Sequence, residues 1–226
     1  MELEKVTKDE RRRYDDACGA ALGMDYVGER WALLLIRELL LGPRRFGEIR
    51  AGLPGISANV LTQRLNGLEA AGIVARHRLP PPANAQVYAL TPWGQEAEPV
   101  VLALAKWALR SPTHDPTLPF SAVSLMLSLK MLLMRERAGT WRARVAFRLG
   151  ADPYVATLAD EALAVVRGMA DDADATLSGR PPAFLPVVFG GRPLGDALDE
   201  GVIALGGNRA IAERFVTLFQ LPPKVE

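Results

Sequence analysis

Residues 57–79 read SANVLTQRLNGLEAAGIVARHRL, and two periodicities meet inside them. Ser57 is a good N-cap for a helix predicted to run to Ala71, with Gly72 as the C′ residue that stops it. Leu61, Leu65 and Leu68 fall on one helix face with Val60 beside it. The other face opens with small and polar groups: Ser57, Ala58, Asn59, Thr62 and Gln63. Past Gly72 the period drops from 3.6 to 2. Val74, Arg76 and Arg78 then alternate with Ile73, Ala75, His77 and Leu79, which predicts a strand. The loop Pro80-Pro81-Pro82-Ala83-Asn84-Ala85 and a second strand, Gln86–Leu90, complete a hairpin.

Upstream, Tyr14–Leu22 and Val27–Leu41 are predicted helices, the second stopped by Gly42-Pro43. Arg45–Ala51 forms one or two turns, with Phe46 and Ile49 inward, before the turn Leu53-Pro54-Gly55-Ile56. Downstream, Thr91-Pro92 is an N-cap with proline at N1. It opens a predicted long helix through Val101, Leu104, Ala105 and Ala108, with Trp93 and Trp107 at its ends. Helix, turn, helix and a two-stranded wing in that order suggest a winged helix-turn-helix.

Charge supports that placement. Over 226 residues, 27 basic groups face 26 acidic ones, so no whole-chain charge points to a partner. Between Arg30 and Arg78, however, eight arginines face only Glu38, Glu48 and Glu69. A helix with small polar residues at its start can approach base edges closely. Asn59 and Gln63 can pair with adenine, and Arg64 can reach guanine or a phosphate. Arg44, Arg45, Arg76 and Arg78 can neutralise phosphates on either side.

Three prolines in Ser111–Pro119 mark a joint, dividing the chain into domains 1–112 and 120–226. The second is predicted as an α+β domain with an antiparallel sheet. Its strands are Trp141–Leu149, Tyr154–Leu158, Ala162–Met169, Ala175–Leu177 and Val202–Leu205. Its helices are Ser124–Arg137, Pro182–Phe189, Leu194–Asp199 and one capped by Asn208. Met126, Leu129, Phe147, Phe184, Phe189 and Phe215 are the candidate lining of a cavity for a small lipophilic ligand. Met126 and Phe147 are equally readable as plain core.

Other classes are excluded. No Gly-x-Ser-x-Gly elbow, Rossmann or P-loop spacing appears, so no enzyme and no cofactor are expected. One cysteine and two distant histidines make no metal site. The longest apolar run, Ala122–Met134, is 13 residues and includes Lys130, short of the span a bilayer needs. Met1–Lys5 has no apolar signal region, and a cytoplasmic protein without a membrane partner is expected.

Two resemblances add to this reading. Val27–Leu39 (VGERWALLLIREL), Gly42–Ile49 (GPRRFGEI), Leu53–Ser57 (LPGIS) and Tyr88–Gly94 (YALTPWG) resemble the HxlR family of winged-helix regulators. So do Leu61–Leu65 with Leu68-Glu69 and Gly72–Val74. That resemblance implies a homodimeric transcriptional regulator bound to double-stranded operator DNA, an inverted repeat, through the helix from Ser57. Tyr14–Leu22 and Pro92–Leu109 are the expected dimer elements. The family often carries a cysteine near its start, where Cys18 stands as the candidate redox residue. The favoured reading of Cys18 is nonetheless a small buried residue among Ala17, Ala20 and Ala21, with Arg11, Arg12 and Arg13 able to lower its pKa only by folding back. Asp174–Gly179, Phe189–Leu194 and Gly201–Asn208 are similar to the sterol-carrier-protein-like fold, which implies helices over a sheet that enclose an apolar tunnel. The rival functions are a thiol-based regulator and a lipophile carrier with an interaction module.

Overall fold

The computed structural model describes residues 14–225, so Arg11, Arg12 and Arg13 lie outside the described residues. The first half comprises α1 (Gly19–Val27), α2 (Ala32–Leu39), α3 (Phe46–Ala51), α4 (Ala58–Ala70), β1 (Val74–Arg78), β2 (Gln86–Leu90), α5 (Pro92–Gln95) and α6 (Glu98–Ala108). The first helix begins at Gly19 rather than Tyr14. The helix expected from Val27 begins at Ala32, because Gly28 closes α1 onto the Met24 carbonyl and Trp31 turns left-handed at φ 81°. The single long helix expected from Pro92 is two. Pro99 has no N–H and cannot continue a helix, but it fits the first turn of a new one.

Around α4 the local reasons survive intact. Ser57 Oγ accepts from Val60 N, and Leu61, Leu65 and Leu68 are buried. Truncating any one of the three to alanine would cost about 2–5 kcal/mol. β1 and β2 pair antiparallel, Val74 opposite Leu90 and Arg78 opposite Gln86. Arg44 adds a bridge to Tyr88, exchanging both backbone hydrogen bonds at 2.9 and 2.8 Å. The base of the wing is sealed at Gly94, where a Cβ would lie 2.1 Å from the Ile73 carbonyl oxygen.

The second half comprises α7 (Ala122–Leu132), α8 (Arg135–Ala138), β3 (Ala143–Leu149), β4 (Asp152–Ala159), β5 (Ala162–Arg167), β6 (Ala175–Gly179), α9 (Pro181–Phe189), α10 (Leu194–Asp199), β7 (Ile203–Gly207) and α11 (Arg209–Val216). The helix expected over Ser124–Arg137 breaks at Leu133, which is extended and bridges Phe219. The sheet order is β5-β4-β3-β6-β7. It is mixed, not antiparallel as expected, because β6 runs parallel to β3. The segment 168–174 recrosses the sheet after β5. It is tied down where Asp174 N donates to Arg144 O at 2.8 Å and Arg144 N donates to the Asp174 carboxylate at 2.7 Å. β6 therefore starts at the same end of the sheet as β3.

Val145, Phe147, Tyr154, Ala156 and Leu177 form the buried face of the sheet, under α7, α9 and α11. Helix α7 also packs on α2 and α6, so one hydrophobic core runs through both halves. Glu98 of α6 pairs with Lys130 of α7. At the far end Val225 N donates to Arg110 O at 2.8 Å, and Lys224 Nζ reaches the carbonyls of Leu109 and Ser111 at 3.1 and 2.8 Å.

Candidate nucleic-acid interface

The buried leucines orient α4. With Leu61, Leu65 and Leu68 facing the core, Ser57, Asn59, Thr62 and Gln63 are exposed and Ala58 is half-buried. Asn59 and Gln63 are one turn apart on one face. Neither side chain has a hydrogen-bond partner among the described residues. Thr62 Oγ1 donates back to Ala58 O at 2.9 Å, so its hydroxyl can only accept from outside. Thirteen residues give α4 a length of about 20 Å, enough to lie along a major groove.

The arginines divide. Arg45 and Arg78 are exposed beside α3 and on the wing. Arg78 Nε donates to Asn84 Oδ1 at 3.0 Å, which anchors it to the wing tip but leaves its terminal nitrogens without a partner among the described residues. Arg76 is exposed yet engaged: it meets Asn66, pairs with Glu69 at 2.8 Å and lies over the Tyr88 ring. It thereby locks the wing to α4. Arg64 pairs with Glu29 at 2.6 Å and donates to Arg30 O at 3.1 Å, so it braces α4 against the start of α2 rather than facing a base.

Arg44 corrects the expectation that it contacts phosphate. It is 4% exposed. Its guanidinium donates to Asp152 Oδ2 and to the Tyr154 hydroxyl, both at 2.8 Å, and lies 3.6 Å from Glu38. Burial alone would lower the Arg44 pKa, but the charges of Tyr154, Asp152 and Glu38 outweigh it and raise it. Asp152 also meets Arg167, whose Nη1 donates to Pro43 O at 3.1 Å. Glu38 is fully buried and additionally accepts from Ser121 Oγ at 2.7 Å and from Arg37 Nη2 at 2.8 Å. A Cβ on Gly52 would sit 2.3 Å from this carboxylate. Sequence reasoning missed Glu38. The signal was an acid at a core position of α2, between Leu35 and Leu39.

Cys18 is also corrected. It is exposed, standing at the N-cap of α1 instead of inside a helix. The backbone of Ala20, and then of Ala21, at the start of α1 lowers its pKa, although the sulfur makes no capping hydrogen bond.

The proposed cavity lining is solid core. Met126, Leu129, Phe147, Phe184 and Phe215 are at most 1% exposed, with Phe147 5.8 Å from Phe184 and 6.0 Å from Phe215, centroid to centroid. These rings fill the space expected for a ligand. Phe189 is only half-buried and lines a separate surface cleft of about 720 Å³ with Val216 and Phe219. Among the described residues no cluster of three or more His, Cys, Asp or Glu side chains could hold a metal ion, and no helix is long and apolar enough to cross a membrane.

Residues 26–115 match the HxlR-like helix-turn-helix family. The HTH-type transcriptional regulator YvaP of Bacillus subtilis (strain 168) is 39% identical over 85 residues, 38% of this chain and 79% of that protein. Among solved structures, the reduced form of the transcriptional regulator YodB from B. subtilis is 33% identical, with a TM-score of 0.39, covering 44% of this chain and 100% of that one. The redox regulator HypR in its oxidized form is 34% identical, with a TM-score of 0.38, covering 40% of this chain and 94% of that one.

Proposed function

The chain belongs to the HxlR-like helix-turn-helix family of DNA-binding transcriptional regulators, and from that premise we propose that it acts in the cytoplasm as a homodimer on an inverted-repeat operator. In this reading α4 enters the major groove and reads bases through Asn59 and Gln63. Arg45 and Arg78 hold phosphates and set the register. The observation that carries it is the outward row of Ser57, Asn59, Thr62 and Gln63, fixed from behind by three buried leucines. Dimerisation is assigned to α1 and α6. Their support is a set of exposed apolar groups: Leu22 and Met24 on α1, and Val100, Leu104 and Trp107 at i, i+4 and i+7 on α6. We assign the second half to effector response. The sterol-carrier-like character implied by its sequence is part of that proposal, although the interior is filled by side chains.

A palindromic site from DNA upstream of the gene should shift with the purified protein. Asn59→Ala or Gln63→Ala should relax base preference by about 1–3 kcal/mol per lost paired contact. If both variants bind every sequence as the parent does, α4 is not the reading element.

A second reading rests on Cys18. An exposed thiol with a lowered pKa at the start of α1 can be converted by an added oxidant to a mixed or intersubunit disulfide. It expects oxidant to change operator affinity and Cys18→Ser to abolish that response. An unchanged response in Cys18→Ser removes it.

A further inference from the structure

We propose that the C-terminal sheet carries a site for a small organic carboxylate with a flat apolar body. The proposal rests on reading this half as an effector domain, and it names the chemistry of the effector.

A cleft of about 760 Å³ opens where β3, β6 and the start of α9 meet. That lies within the range of small-molecule sites, roughly 300–1,000 Å³. Arg148 of β3 and Ser178 of β6 are in parallel register. Residues in register share a face, so both leave the sheet opposite the buried Phe147 and Leu177. Arg180 follows two residues later in still extended backbone, φ −81° and ψ 141°. Strand geometry places the Arg148 and Arg180 Cα atoms about 8 Å apart.

Neither guanidinium has a hydrogen-bond or ion-pair partner among the described residues. By contrast Arg142, Arg144, Arg167 and Arg192 each hold an acid. Two unpaired like charges on one small cleft are relieved by an anion between them. The guanidinium fork matches a carboxylate in two parallel hydrogen bonds. The helix beside the cleft offers no competing donors, since Pro181 and Pro182 open α9 and carry no N–H. A compact phosphate normally draws on several such N–H groups, so the singly charged carboxylate is the better fit. The remaining wall is apolar: Pro182, Ala183 and Val202, the last 42% exposed. Gly150, Gly179 and Gly201 add no side chains there, which leaves room for a flat body.

The test uses the full chain and two probes, 2-naphthoate and the neutral 2-naphthamide, by isothermal titration calorimetry. Naphthoate should bind saturably, with the amide about ten-fold weaker or more. The double variant Arg148→Gln/Arg180→Gln should lose about ten-fold in naphthoate affinity, while Arg142→Gln loses none. Absent naphthoate binding, equal binding of the amide, or full affinity in the double variant would overturn the site. So would displacement of naphthoate by inorganic phosphate at equal concentration, which would make it a general anion site. A lowered salt slope for DNA binding in the double variant would instead make the two arginines duplex contacts. The titration needs no DNA, so a failed operator shift sinks the proposed function alone and a failed titration sinks the cleft alone.

Discussion

Arg44 donates to the Tyr154 hydroxyl at 2.8 Å across 110 positions of the chain. The backbone of Arg44 completes the wing sheet, while its side chain grips the start of β4 in the other half. One residue therefore belongs to the DNA-binding module and to the sheet domain at once. Arg44→Met should destabilise the protein by about 3–5 kcal/mol, because it removes the cation facing Glu38 Oε2 and the buried donor to Asp152 and Tyr154, and leaves Glu38 with the Arg37 cation alone. The double change Arg44→Met/Glu38→Met should recover much of that loss. Urea unfolding midpoints at constant m-value decide it, and equal midpoints for the single variant and the parent would refute the buried network.

Tyr154 makes the same contact sensitive to alkali. Burial, the largest cause, pushes its pKa up to about 12, against the opposing pull of Arg44. The folded state therefore keeps the proton longer than the unfolded chain does. This contribution is fully present below pH 10 and drains away as pH rises toward about 12. Tyr154→Phe should lose about 1 kcal/mol for one hydrogen bond at neutral pH. Its stability should then fall less steeply than the parent's over the alkaline window.

Arg78 and Arg64 should behave differently on DNA. Arg78→Ala should weaken all sequences alike and reduce the salt slope by about one unit. Arg64→Ala should leave that slope nearly unchanged, since Glu29 already occupies its guanidinium. Affinities measured across a salt series separate the two.

Trp107 is 72% exposed on α6, on the same stripe as Val100 and Leu104. Trp107→Asp should yield monomers in sedimentation equilibrium, with fold stability changed by no more than about 0.5 kcal/mol. A variant that remains dimeric would move the interface elsewhere.

For Cys18, alkylation of the native protein by iodoacetamide should follow an apparent pKa below the ordinary 9.0 of a thiol. Slower reaction in the native than in the urea-unfolded protein at neutral pH would place the thiol inside the fold.

Helix α4 and its wing were legible because their signals are local. Ser57 caps, the leucine spacing sets the inward face, and the change of period after Gly72 marks the hairpin. Arg44 misled because a basic residue next to a helix start looks solvated. Its partners Asp152 and Tyr154 are remote in sequence, and no periodicity links them. The same holds for the parallel pairing of β3 with β6, which depends on how 168–174 recrosses the sheet. Met126 and Phe147 were ambiguous for another reason. A filled core and a ligand cavity use the same residue types, and only the volume between the side chains tells them apart.

The return of Lys224 and Val225 to the end of α6, together with the α7 surface shared by α2 and α6, bears on how the molecule can be taken apart. Proteolytic or genetic scission at the proline-rich joint would not release two self-sufficient pieces. Each fragment would expose half of a seam that is buried in the intact protein, and its insolubility would say nothing about DNA or effectors. Dissection of this regulator therefore has to proceed by single side chains in the uncut polypeptide.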